Sequence, residues 1–430
     1  MIRRILMIAT AALLLHMPLH AQDEPPDKTD TGDAPAFIVE ALTFSSREPG
    51  KTRIDVFLQV DLEGLSFEKD GDSYQASYDV TASLFDSANT LVSEQSWTDN
   101  ITGLTYEQTI AGGAAKISQR SFTVAPGTYS LSILVRDTDT KKDRKIQRTF
   151  LVPSYTNGGI CLSSIMLISR YVEQGGIKHI VPSVSSNMGL IPDAFHIFFE
   201  VYNQGVSASV RFTASVLDHE DRQVMHVDTV ALIDVGRTEM FMKIVDTMLV
   251  VGDYKLMVVA STPSQSSVLA QVARTFTMRW RGMPMSVSSL DLAIEQVKYI
   301  ARDAEYDSLK EAKTTEDKRR VFLAFWKKRD PNPNTLRNER MEEYYTRVDF
   351  ANKHFSHFRP GWKTDMGMVY IILGPPSNIE RHPFDMESKP YEVWSYYNNN
   401  LTFLFVDETG FGDYRLITPL ADVYRYSQWK

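Results

Sequence analysis

The side chains whose types and spacing could do chemistry gather in the last quarter of this 430-residue sequence. His354 and His357 stand three apart in a stretch of helical periodicity, so both imidazoles share one face, and His382 is a third nitrogen within the same region. No Glu-x-x-His pattern accompanies them, so the spacing assigns no metal and no cofactor. Asp407, Glu408 and Asp413 surround a turn. Paired carboxylates are what glycosidic hydrolysis requires, yet Asp and Glu beside Gly410 and Gly412 are also ordinary turn residues. Trp362 and Asp365 have two readings. As a surface pocket, the indole is a stacking platform and the carboxylate a polar contact. As structure, Pro360 and Gly361 end a helix, Trp362 closes the core, and Asp365 accepts backbone amides of the turn. Cys161 lies in the apolar run Ile160-Cys161-Leu162, where a buried, inert thiol is expected. Gly374-Pro375-Pro376 and Gly410-x-Gly412 lack the lysine or third glycine of phosphate-cradling loops, and neither Gly-x-Ser-x-Gly nor His-Glu-x-x-His occurs. The sequence nominates no catalytic residue.

The elements that must hold these residues are helices followed by strands. Ser288 opens a Ser-x-x-Asp capping pattern with Asp291, and Leu290, Ile294, Val297 and Ala301 share a helical face. A second helix is predicted from Thr314 through Trp326, stopped at Asp330-Pro331, and a third runs from Met341 to Phe355. Strand character is expected to return at Met368–Leu373, then at Tyr391–Tyr397 and Leu401–Val406 around the turn Asn398-Asn399-Asn400, and again at Asp413–Ile417. Helices followed by an antiparallel meander define an α+β domain.

Upstream, the chain repeats itself. Thr81-Ala82-Ser83-Leu84-Phe85-Asp86 returns as Thr213-Ala214-Ser215-Val216-Leu217-Asp218. Pro126-Gly127-Thr128-Tyr129 returns as Val251-Gly252-Asp253-Tyr254, and Arg148-Thr149-Phe150 as Arg274-Thr275-Phe276. The offsets of 132, 125 and 126 residues keep order and spacing, which one coincidence does not produce three times. Two strand-rich copies predict two immunoglobulin-like β-sandwich domains, with Tyr129 and Tyr254 as tyrosine corners whose hydroxyls bond back to the chain.

The N-terminus carries the pattern of an export signal. Arg3-Arg4 precedes the apolar run Ile5–Leu15, and Ala21 stands at the expected cleavage point. That run is too short to cross a hydrocarbon core of about 30 Å as a helix. Cleavage would take the formal net charge from −8 to −10. An acidic chain without a concentrated basic face excludes nucleic acid as a partner, and a single cysteine forms no internal disulfide. The organisation expected is a signal peptide over 1–21, a disordered acidic linker over 22–35, β-sandwich domains over 36–153 and 154–280, and the α+β domain over 281–430.

The pentapeptide Gly361-Trp362-Lys363-Thr364-Asp365 resembles the signature of the GWxTD domain, a bacterial family. Phe325-Trp326-Lys327-Lys328-Arg329-Asp330-Pro331, Asn338-Glu339 and Tyr344-Tyr345-x-Arg347 are similar to its helical part. Leu373-Gly374-Pro375-Pro376, Tyr391-Glu392-Val393-Trp394 and Gly410-Phe411-Gly412-Asp413-Tyr414-Arg415 are similar to its strands, and Phe199-Glu200-Val201-Tyr202-Asn203 to a segment ahead of it. Met366 and Met368 stand where relatives often carry arginine, so a binding role for those arginines does not carry over. The resemblance implies an exported envelope protein, periplasmic, outer-membrane-associated or secreted, and implies no reaction. The expected function is therefore a non-enzymatic protein that binds an envelope protein or polysaccharide, or supports an envelope assembly, with Trp362, Asp365 and Arg415 as binding candidates. The rival is a secreted hydrolase with sandwich accessories and a catalytic C-terminal domain.

Overall fold

Ile54, Val56, Leu58 and Val60 alternate with residues of the opposite face along one strand, and all four side chains are buried. The computed structural model describes residues 34–109, 114–156, 158–174, 177–189, 194–245, 249–264, 267–284, 286–333, 338–383, 389–427 and 429. The expected leader, and the expected spacer up to residue 33, lie outside these. The chain divides into two compact units, Met1–Asn157 and Gly158–Lys430. It is mostly β-sheet, with helices confined largely to the C-terminal part. Among the described residues no helix is long and apolar enough to cross a membrane.

The first unit contains β1 (Phe37–Ser45), β2 (Thr52–Asp61), β3 (Glu68–Asp70), β4 (Ser73–Asp86), β5 (Leu91–Leu104), the single turn α1 (Tyr106–Thr109), β6 (Ala115–Val124), β7 (Gly127–Asp137) and β8 (Asp143–Val152). One sheet runs β1-β2-β6; the other runs β3-β4-β7-β8, with β5 on the side of β4. Side chains of both sheets, Val56 and Phe122 from one and Val80 and Ile133 from the other, share one core.

The second unit begins the same way. Its strands are β9 (Ile160–Leu162), β10 (Met166–Gln174), β11 (Ile177–Pro182), β12 (Ala194–Asn203), β13 (Ala208–Leu217), β14 (Gln223–Ile233), β15 (Gly236–Val245), β16 (Gly252–Ser261) and β17 (Val268–Met278). They form the sheets β11-β10-β12-β15, with β9 beside β12, and β14-β13-β16-β17, which again enclose one core.

Each of the three sequence matches is a hydrogen-bonded fastening, two of them local and the third long-range. Asp86 ends β4 and accepts the amides of Ala88 and Thr90, with Asn89 left-handed at φ 61°. Asp218 directly follows β13 and accepts those of Glu220 and Arg222, with Asp221 at φ 57°. The Tyr129 hydroxyl donates to the Ala125 carbonyl at 2.9 Å, and that of Tyr254 to Val250 at 3.0 Å. Gly127 and Gly252 lie against these rings, and a Cβ on Gly252 would press the Tyr254 ring at 3.2 Å. Arg148 of β8 reaches across to the carbonyl of Val39, and Arg274 of β17 to that of Ile165, each spanning 109 residues.

The C-terminal part packs on the end of this second pair of sheets. It comprises α2 (Leu290–Gln296), α3 (Asp303–Glu311), α4 (Thr315–Lys327), α5 (Glu339–Phe355), α6 (Asp365–Leu373), β18 (Asn378–His382), β19 (Tyr391–Tyr396), β20 (Leu401–Asp407), β21 (Tyr414–Leu416) and α7 (Leu420–Arg425). The four strands form an antiparallel meander in chain order. Val250 and Val251, just ahead of β16, join Leu290, Trp326 and Trp362 in a single core, and Gly252 at the start of β16 bridges to Ser289. Arg279 is buried at this seam and donates to the carbonyls of Gly252 and Met278.

Several local expectations change. Met368–Leu373 is the end of helix α6 and not a strand. A short apolar run reads alike as strand or buried helix. Here Thr364 caps the start, Gly374 at φ 86° ends it, and near-complete burial overrides the β preference of Val and Ile. The cap of α2 is Ser289, not Ser288; its side chain accepts the Leu292 amide. Helices α3 and α7 and strand β18 have no counterpart among the elements expected from the sequence. The Asn-rich hairpin forms as expected, as a 3-10 turn over Tyr397–Asn399 with Asn400 left-handed.

Candidate functional site

The signature pentapeptide joins two helices rather than a helix and a strand. Gly361 leaves α5 so tightly that a Cβ would sit 1.8 Å from the Ala351 carbonyl oxygen. Its amide donates to Ser356 Oγ, and that of Trp362 to Asn352 Oδ1. Trp362 is 1% exposed, and its carbonyl accepts the Tyr299 hydroxyl at 2.8 Å. The ammonium groups of Lys298 and Lys363 lie about its ring at 5.1 and 4.9 Å, while Lys363 also pairs with Glu295. Burial leaves no open indole face on which a ligand could stack. Thr364 caps α6: its hydroxyl accepts from the Gly367 amide and donates to the Gly361 carbonyl. The turn amide expected to bond Asp365 is taken by Thr364. Asp365 instead accepts the amide of Leu416 at 3.0 Å, fixing strand β21 to the start of α6.

The other family-like residues are also fastenings. Tyr344 and Tyr345 of α5 donate to the carbonyls of Gln296 and Ala293, the unsatisfied end of α2. Burial holds both hydroxyls well above the ordinary phenol range, so they stay neutral donors. Arg347 donates to Ile371 at the end of α6, the Tyr396 hydroxyl to Gly374, and Asn338 to Trp326 while also capping α5.

These fastenings hold two loops, residues 356–360 and 408–413, through one carboxylate. Asp413, with a 7% exposed side chain, meets Arg415 at 2.8 Å, Arg359 at 3.3 Å and His357 Nε2 at 3.3 Å. Asp407 braces the second loop by accepting the amides of Thr409, Gly410 and Gly412. Burial alone would raise its carboxyl, but the donors from Gly412, Gly410 and Thr409 prevail and hold it below the ordinary value. Gly410 and Gly412 take φ of 74° and 85°, which other residues rarely adopt. On these loops Phe358 is 75% and Phe411 85% exposed. Among the described residues, Nδ1 of His357 and Nε of Arg359 are buried without a hydrogen-bond partner.

The structure thus separates the sequence candidates. His354 stacks on Phe350, His382 on Tyr391, and only His357 joins the Asp413 cluster. Asp407 and Asp413 organise loops, and Glu408 is exposed. Cys161 is half-buried on β9, opposite Tyr202, rather than fully buried. Arg415 lies in the cluster; Phe358, Arg359 and Phe411 were not singled out. Phenylalanine between two glycines at 410–412 was the available signal, since such a residue has no helix or strand to bury it.

A β-rich chain with this fastened helical and meander region belongs to a recognisable class. Residues 265–418 match the GWxTD domain, so this is a GWxTD domain-containing protein. The match begins just ahead of β17, the last strand of the second pair of sheets. No curated protein matches the chain. Among solved structures it is similar to a red sea bream transglutaminase (10% identity, TM-score 0.17, covering 56% of this chain and 31% of that one). It is also similar to a calcium-binding mutant of Bacteroides uniformis beta-glucuronidase 2 (10%, 0.21, 56% and 28%). A third is a putative beta-galactosidase from Bacteroides fragilis (10%, 0.20, 55% and 34%). The chain spans about a third of the length of these structures, and scores this low carry no functional inference.

Proposed function

We propose that this is an exported, non-enzymatic cell-envelope protein whose GWxTD domain docks a partner on the surface formed by Phe358, Phe411, Arg359 and Arg415. The observation that carries the reading is the pair of exposed phenylalanines on loops tied together by buried Asp413. Exposed aromatic rings beside arginines are typical binding hot spots, and loops held in place in advance lose little freedom on binding. The upstream sheets act as spacer modules, immunoglobulin-like in plan, an assignment supported by the two tyrosine ties. Location outside the cytoplasm rests on the leader pattern of residues 1–21. No observation favours the hydrolase reading: the oxygens of Asp407 are occupied by loop amides and those of Asp413 by cations.

The test is site-specific photocrosslinking in the native envelope, with a photoreactive phenylalanine analogue at position 358 or 411. A discrete adduct at both positions, absent when the analogue replaces the exposed Tyr397, is expected. Equal labelling at all three positions, or none at 358 and 411, overturns the reading.

A further inference from the structure

We infer that this docking surface takes an acidic peptide segment of the partner, seating a carboxylate on Arg359 and Arg415 and an adjacent apolar side chain on Phe358 and Phe411. The inference rests on the docking reading above and adds the chemistry of what docks.

At the cluster a single carboxylate is shared among several donors. One carboxylate, Asp413, faces two guanidinium groups and an imidazole. Among the described residues Arg415 engages Asp413 through Nε and Nη2, and 44% of its side chain is open to solvent. A guanidinium carries five N–H donors in a planar fork that suits carboxylate oxygens. Arg359 is more enclosed, and its Nε, like His357 Nδ1, is buried without a hydrogen-bond partner among the described residues. Asp413 itself is buried, so of this ion-paired group the Arg415 guanidinium is the part most open to solvent. A half-open guanidinium is a point at which an anionic segment of a partner is received.

The aromatic rings narrow the class. Phe358 and Phe411 offer neutral, apolar surface and no hydrogen bonds. An isolated small anion would leave both rings in water, and two arginines are too few for a nucleic acid. A peptide that alternates acidic and apolar side chains satisfies both halves of the surface.

The experiment uses the full chain and three synthetic hexapeptides carrying the same fluorescent label: alternating Glu-Leu, alternating Lys-Leu and alternating Glu-Ser. Anisotropy is followed up to about 1 mM peptide, a range that detects weak binding. The Glu-Leu peptide should bind, with affinity falling several-fold as NaCl rises from about 0.05 to about 0.5 M, and the other two should not. Arg415→Gln should weaken binding at least about fivefold and Arg415→Lys less, because lysine keeps the charge and loses the fork. Phe411→Ala should also weaken it, with both variants melting like the parent. Equal binding of the Lys-Leu peptide, indifference to Arg415→Gln, or absence of Glu-Leu binding overturns the inference. If that happens while crosslinks still form at 358 and 411, docking stands and only the acidic partner falls.

Discussion

Asp365 and Leu416, 51 residues apart, meet through a 3.0 Å hydrogen bond from the Leu416 amide to Asp365 Oδ2. The bond makes the last residue of the signature a brace for β21, the strand that carries Arg415. It also takes up an N–H at the rim of the meander, where strand order leaves β21 without a neighbour on one side. Asp365→Ala leaves that amide without its partner and should cost about 1–3 kcal/mol. Asp365→Asn keeps an acceptor and should cost less. Urea melts of the full chain measure both; equal melts for parent and alanine variant would show the bond contributes nothing.

Trp362→Ala should destabilise the second unit by about 3–5 kcal/mol, the range for deleting a large buried aromatic. Its ring is enclosed and its neighbours are themselves fixed, so the cavity has little room to collapse. Calorimetry should show the transition of the second unit lowered and that of the first unchanged.

Gly361→Ala is a harsher change for its size. The new methyl would lie 1.8 Å from the Ala351 carbonyl oxygen, against backbone that cannot move aside without unwinding the end of α5. Loss of soluble protein, or a drop in stability exceeding the roughly 1–3 kcal/mol usual for overpacking, is expected. A variant as stable as the parent would mean that the α5–α6 junction is looser than this contact requires.

The exposed rings should behave in the opposite way. Phe358→Ala and Phe411→Ala should shift stability by no more than about 0.5 kcal/mol, as surface changes usually do, while abolishing partner capture. Denaturant melts paired with envelope co-purification separate the two effects. A large loss of stability would reassign these rings to the fold.

Acid should loosen the Asp407 loop. The folded carboxyl titrates below its ordinary value of 3.8. Its contribution is thus present above the unfolded value and is lost as pH falls through the folded one. The difference in melting temperature between the parent and Asp407→Asn should be constant near neutrality and shrink below about pH 4. A difference that persists unchanged into strong acid would contradict the assignment.

How much of this was legible depends on the distance over which each residue acts. The Asp86 and Asp218 turns, the Thr314 cap of α4 and the ends of α5 are short-range devices, and the residue types reveal them. Helix α6 was missed because Val369, Ile371 and Ile372 prefer strands locally, and only burial among α5, β21 and α7 decides otherwise. Trp362 was readable as a core residue from its type. The partner of Asp365 was not readable, because nothing in the pentapeptide points to residue 416. Exposure of Phe358 and Phe411 was equally hidden: a phenylalanine is ordinarily assigned to a core until the surrounding loops are seen to hold it out.

The two cross-sheet arginines have a consequence for the order of events. Arg148 and Arg274 each bond a carbonyl 109 residues earlier, tying the final strand of a module to its beginning. A chain that emerges N-terminus first, from a ribosome or through a membrane pore, cannot make either bond until nearly the whole module has arrived. Contacts of such long sequence separation also slow folding, because the intervening loop must be closed before the contact repays it. Each module therefore gains this fastening only after its last strand is in place.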